Sequence, residues 1–126
     1  MSIDIVVPEG VKLITLLDVI RNLSWSAADV LMAYARGQEP PYGFPKLLTV
    51  EEGGDGPVSA ADMAVNELLI SGLKDNLNYK EWDILSEETS KEKTFQRNNY
   101  KKDWCWILDP LDGTKDFLQG SENYAV

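Results

Sequence analysis

The sequence predicts a single α/β domain, and three observations predict it. Two segments, Leu13 to Tyr34 and Ala61 to Leu73, repeat apolar residues at helical spacing. Two short apolar runs, Trp82 to Ser86 and Trp104 to Leu108, have the length of strands and end on acidic or turn-forming residues. The 126 residues are 44% hydrophobic and 26% charged, which suits one cored unit and excludes a disordered, collagen-like or disulfide-stapled chain.

After Pro8-Glu9-Gly10, the stripe Leu13, Leu16, Leu17, Ile20, Leu23 continues through Ala27, Val30, Leu31 and Tyr34. This is one long helix, with a bend expected near Ser24-Trp25-Ser26. Gly37 ends it, and Pro40-Pro41-Tyr42-Gly43 with Pro45 forms a stiff loop that cannot continue it. Lys46 to Glu51 reads as a short strand and Glu52 to Pro57 as a turn cluster. Ser59 places a capping oxygen three residues ahead of Asp62, so a second helix is expected from about Ser59 to Asn76. Its inward stripe is Ala61, Ala64, Val65, Leu68 and Leu73. Trp82 to Ser86 is a strand that delivers Glu87 and Glu88 at its end, and Thr89 to Asp103 is a solvated excursion. The second strand, Trp104 to Leu108, breaks at Asp109-Pro110-Leu111-Asp112-Gly113-Thr114. Lys115 to Leu118 is expected to make a helical turn, and Asn123 to Val126 to begin another strand. Stopping there without a turn or cap reads as a piece of something longer.

Absent residue types exclude several chemistries. With no histidine, Ser-His and Cys-His pairs, His-ligated zinc and imidazole acid–base catalysis are all ruled out. Cys105, the one cysteine, lies between Trp104 and Trp106 and reads as a small core residue, with a reducing compartment implied. A formal charge of −9 from 21 acidic and 12 basic residues disfavours nucleic acid and anionic membranes as partners. No apolar run approaches membrane-spanning length and no secretory signal opens the chain, so the cytoplasm is the expected location.

The informative pattern is carboxylates at the ends of apolar strands: Glu87-Glu88 after one, Asp109 and Asp112 after the other. If the strands are neighbours, their tips meet. Two unit charges about 4 Å apart repel by roughly 1 kcal/mol in water and about 4 kcal/mol at an effective dielectric of 20. Either a carboxyl takes a proton or a divalent cation sits among the oxygens, and all-oxygen donors favour Mg²⁺ over Mn²⁺ or Ca²⁺. Pro110 stiffens the loop, and Gly113 permits close backbone approach, so the amides near Gly113-Thr114 can face an anion. Singly, each segment is also what an ordinary turn or solvated edge looks like, and Asp62 alone is a first-turn helix carboxylate. The combination is what points to a site.

The segment Trp106-Ile107-Leu108-Asp109-Pro110-Leu111-Asp112-Gly113-Thr114-Lys115-Asp116-Phe117 resembles, over its whole length, the signature of a phosphatase family. This is the lithium-sensitive, Mg²⁺-dependent family that includes inositol monophosphatase, fructose-1,6-bisphosphatase and 3′(2′),5′-bisphosphate nucleotidase. Leu85-Ser86-Glu87-Glu88-Thr89 is similar to its Glu-Glu ligand segment, and Gly56-Pro57-Val58-Ser59-Ala60-Ala61-Asp62 to its earlier Pro-Val-Thr-x-Ala-Asp stretch. The resemblance implies the amino-terminal half of the sugar-phosphatase fold, with paired helices packed on a largely antiparallel sheet. Residues 1–126 would form an incomplete amino-terminal metal-binding phosphatase domain.

Position by position, the resemblance implies that Glu87, Asp109, Asp112 and the Leu111 carbonyl bind metal, two or three Mg²⁺ ions in a complete enzyme. It implies that Thr114, supported by Asp62, orients and helps deprotonate the attacking water, that the Gly113 and Thr114 amides hold phosphate, and that Glu88 supports the site. Cations lower the pKa of water and stabilise entering and leaving oxygens, so metal replaces the missing histidine and no phosphoenzyme is needed. Lys115 after Asp-Gly-Thr resembles the bisphosphate nucleotidase branch, which favours adenosine 3′,5′-bisphosphate as substrate; a sugar phosphate or inositol phosphate is the alternative, and a solvated surface charge is the plain reading of the lysine. Ser59 stands where the family usually has threonine, Glu51-Glu52 where many nucleotidase relatives place a lysine, and the family's later Trp-Asp segment is absent.

Two rivals compete. Haloacid dehalogenase-type phosphotransferases space their residues Asp-x-Asp-x-Thr around a covalent nucleophile, whereas two residues separate Asp109 from Asp112 here. A half-domain that binds metal or a partner chain without turnover is the second. The partner expected is a small-molecule phosphate; a homodimer stays open.

Overall fold

In the computed structural model, the described residues are 6–45, 51–53, 56–58, 60–77, 82–86, 102–120 and 123–126. The expected strand from Lys46 falls almost wholly outside them, as do Ser59, Glu87, Glu88 and most of the stretch from Thr89 to Asp103.

Helix α1, Leu13–Ala35, runs unbroken through Ser24-Trp25-Ser26. It ends where glycine permits: Gly37 has φ 65°, its N–H reaches the Tyr34 carbonyl at 3.1 Å, and the Gln38 N–H reaches Ala33 at 2.8 Å. This pair of bonds satisfies carbonyls that the last helical turn leaves bare. Helix α2, Ala60–Asn76, packs on α1. Ala27, Val30, Leu31 and Tyr34 of α1 form the core with Ala61, Ala64, Val65 and Leu69 of α2. Leu69 is the more buried member of the Leu68-Leu69 pair, so the inward stripe is turned slightly from the expected one. The alanines allow close approach of the helices, and a Cβ at Gly72 would run into the Leu23 side chain. Full burial of each Val or Leu contributes about 1.5–3 kcal/mol.

Strand β1, Glu51–Gly53, pairs antiparallel with β2, Gly56–Val58. Strand β3, Trp82–Ser86, and β4, Trp104–Leu108, occur as expected, but they pair parallel, from Trp82 opposite Trp104 to Ser86 opposite Leu108. The expectation of a largely antiparallel sheet is therefore corrected for the strands that lead to the site. The physical reason is the connection: residues 87–103 separate β3 from β4, long enough for the crossover that parallel pairing requires and far longer than a hairpin turn. Among the described residues, antiparallel pairing is confined to β1–β2 and the single bridge between Asp112 and Ala125.

Side chains alternate across the pleat, so Trp82, Ile84 and Ser86 share the helix-facing side with Trp104, Trp106 and Leu108. Trp82 stacks on Trp106 with centroids 4.9 Å apart. Asp83, Leu85, Cys105 and Ile107 lie on the other side, where Cys105 is exposed and Ile107 is 77% exposed. Cys105 is thus not a core residue. A strand of five apolar residues reads as buried on both faces, but here only one face meets the helices.

Past β4 the chain enters α3, Thr114–Leu118, one residue earlier than expected. Leu111 and Phe117 enter the helical core, and Phe117 meets Tyr124 edge-on at 4.9 Å. Of the strand expected from Asn123, only the bridge at Ala125 forms. No helix among the described residues is long and apolar enough to cross a membrane.

Candidate active site

The parallel register places Ser86 beside Leu108, so both strands leave the sheet at the same edge. Asp109 follows Leu108 directly, and Glu87 follows Ser86 in sequence, although Glu87 and Glu88 lie outside the described residues. An antiparallel pair would have put these exits at opposite ends.

The loop after β4 divides its side chains by chemistry. Pro110 and Leu111 are buried while Asp109 and Asp112 are exposed, so two apolar plugs hold the backbone as the carboxylates face solvent. Asp112 is fastened through its backbone: its N–H donates to the Ala125 carbonyl at 2.8 Å, and its carbonyl accepts from the Ala125 N–H at 3.0 Å. Gly113 has φ 84°, and a Cβ there would stand 2.5 Å from the Asn123 carbonyl oxygen. The close approach that glycine permits is therefore made by the chain's own residue 123 on that side. Its left-handed conformation turns the backbone from the loop into α3.

Asp62, fully buried in the first turn of α2, meets this loop from below. The Thr114 hydroxyl donates to Asp62 Oδ1 at 2.9 Å and lies 3.2 Å from the Leu111 carbonyl oxygen. One hydroxyl carries one proton, so two acceptors compete for it, and the Asp62 oxygen is the nearer of the two. The Leu111 carbonyl has a second lone pair for another partner. Lys115 is exposed at the second position of α3.

Among the predicted residues, the structure joins Asp62, Leu111, Gly113 and Thr114 and holds Asp109 and Asp112 at the same loop. Among the described residues, no three acidic or thiol side chains stand close enough to hold a metal ion. The donors that the loop presents are two exposed carboxylates and a carbonyl, and the Cys105 thiol lies on β4 away from them. That hard, all-oxygen set fits Mg²⁺ and offers nothing that selects zinc or copper. Sequence reading missed the pair Asn66 and Ser86, whose side chains hydrogen-bond in the interior between α2 and β3. The available signal was a polar residue four positions after Asp62, hence on the same face of an otherwise apolar helix stripe.

The sequence profile of the inositol monophosphatase family matches residues 14–126. The chain belongs to the inositol monophosphatase family. Among similar family members, the 3′(2′),5′-bisphosphate nucleotidase CysQ of Haemophilus influenzae is 32% identical over 98 residues, covering 77% of this chain and 35% of that protein. CysQ of Escherichia coli is 29% identical over 111 residues, covering 88% and 41% respectively. The Nus factor SuhB of Vibrio cholerae is 32% identical over 85 residues, 64% of this chain. The Thermotoga maritima IMPase superposes with a TM-score of 0.58 over 86% of this chain and 36% of its own, at 22% identity, a likeness of fold. The chain thus spans 35% and 41% of the length of the two CysQ proteins.

Proposed function

We propose that this inositol monophosphatase family member serves the Mg²⁺-dependent hydrolysis of a small-molecule phosphomonoester by direct attack of water. The observation that carries the reading is the hydrogen bond from Thr114 to buried Asp62, made beneath the loop that presents Asp109 and Asp112. In this reading Asp109, Asp112 and the Leu111 carbonyl, with Glu87, hold the cations. When bound, Mg²⁺ neutralises phosphoryl charge and makes water more acidic. Thr114 Oγ1 gives its proton to the bond with Asp62, so its lone pairs accept from the attacking water and orient it. The Gly113 and Thr114 amides take the phosphate, and Glu88 supports the ligands.

The substrate we propose is adenosine 3′,5′-bisphosphate. Support comes from Lys115, which is exposed and follows Gly113 and Thr114 directly in sequence, and from relatives named 3′(2′),5′-bisphosphate nucleotidase. A soluble cytoplasmic enzyme is the matching setting. The test is phosphate release from adenosine 3′,5′-bisphosphate, inositol 1-phosphate and fructose 1,6-bisphosphate, with and without Mg²⁺ and Li⁺. It is run on this chain and on the chain extended to the length of its relatives. Mg²⁺-dependent, Li⁺-inhibited release that is fastest with the nucleotide is expected. Release from none of the esters by either form would overturn the activity, and preference for a sugar or inositol phosphate would overturn the substrate.

A further inference from the structure

Asp62 and Asn66 stand four residues apart on α2, so both project from one face, separated by about 6 Å along the helix axis. Each is buried, and each reaches a different segment of the site. Asp62 accepts from Thr114, two residues after Asp112. Asn66 Oδ1 accepts from the hydroxyl of Ser86, the last residue of β3 and the one before Glu87. Ser86 is 1% exposed and Asn66 9%, so solvent does not replace this bond if it is broken.

We infer that Asn66 is a positioning residue, which fixes Ser86, the residue before Glu87 in sequence, on α2 and thereby holds the end of β3 beside Leu108, where the Asp109–Thr114 loop begins. The inference rests on the proposed role of Glu87 as a ligand. The helix acts as a ruler with two arms. The β3–β4 ladder sets the same two segments side by side through Ser86 and Leu108, but a ladder alone leaves the last residue of a strand free to fray. The Asn66–Ser86 bond pins that residue from outside the sheet. Groups that orient metal ligands without touching the metal alter affinity by about 10–100-fold when removed.

The test compares wild type with Asn66→Ala, Ser86→Ala and the conservative Ser86→Thr, which keeps the hydroxyl. Amide hydrogen exchange over residues 84–86 in the metal-free chain reads positioning directly, and Mn²⁺ titration reads its consequence. Both alanine variants are expected to speed exchange at 84–86 by about tenfold or more while α1 is unchanged, and to weaken Mn²⁺ binding by about 10–100-fold. The double variant should be no weaker than the worse single one, and Ser86→Thr should resemble wild type. Unchanged exchange at 84–86 in either folded alanine variant overturns the inference. Faster exchange with unaltered Mn²⁺ affinity overturns the link to the ligands. Failure of wild type to bind Mn²⁺ saturably, with Asp109→Asn no different, instead overturns the reading of the site on which the link depends.

Discussion

Thr114 carries one hydroxyl proton between the Asp62 carboxylate and the Leu111 carbonyl, while Asp109, two residues before Leu111, is exposed to solvent. These two residues separate chemistry from stability. Asp109→Asn should leave the free energy of urea unfolding unchanged to within about 0.5 kcal/mol, as surface substitutions do, while abolishing Mg²⁺-dependent phosphate release by a form that has it. Thr114→Val should cost both: about 1–3 kcal/mol because buried Asp62 loses a donor, and about 10²–10⁴ in turnover if Thr114 orients the water. Wild-type turnover in Asp109→Asn would remove it from the ligand set. Cys105 offers a further residue-scale check. Burial first, then the Asp83 charge across the β3–β4 ladder, push its thiol up, with a hydrogen bond involving the Leu85 backbone acting the other way. An exposed thiol is thus kept protonated. Its alkylation should stay slow through pH 8 and accelerate above the ordinary thiol value of about 8.5. Asp83→Asn should shift that rise downward; an unshifted profile would discount the aspartate.

Elements meet the site through turns that tolerate little change. Gly113 combines a left-handed backbone with the Asn123 carbonyl at its Cα, and it joins β4's loop to α3. Gly113→Ala should destabilise the fold by about 1–3 kcal/mol from backbone strain alone, with the contact to residue 123 adding to it. Denaturant unfolding would measure this, and a loss below 0.5 kcal/mol would mean the turn relaxes. Helix α2 was readable because its apolar spacing and its carboxylate in the first turn agree. The strands were equally readable as elements, since Trp82–Ser86 and Trp104–Leu108 have the bounds that their apolar runs suggest. Their direction was not. An apolar strand looks the same in either orientation, and only the path of the chain between two strands decides how they pair.

Across the whole molecule, α1 and α2 supply the core, and the site rests on one end of the β3–β4 pair. Stability at high pH tests that core. Burial pushes the Tyr34 phenol above its ordinary range, and its hydroxyl donates to the Pro45 carbonyl at 2.5 Å, a bond only the neutral form makes. The folded chain therefore keeps a proton that the unfolded chain releases, so this contribution is whole below the ordinary tyrosine value of about 10 and is lost as pH rises through the folded value. The urea midpoint of wild type should fall more steeply above about pH 10 than that of Tyr34→Phe; parallel curves would refute the assignment. By itself the sequence determined the helices, the apolar strands, the acidic loop from Asp109 to Thr114 and the kinship with a phosphatase family, because these depend on spacing along the chain. Tertiary structure alone decided that the strands run parallel, that Cys105 and Ile107 face outward, and that Asn66 meets Ser86. Those outcomes depend on which surfaces meet across long separations in sequence, and local pattern carries no direction for such encounters.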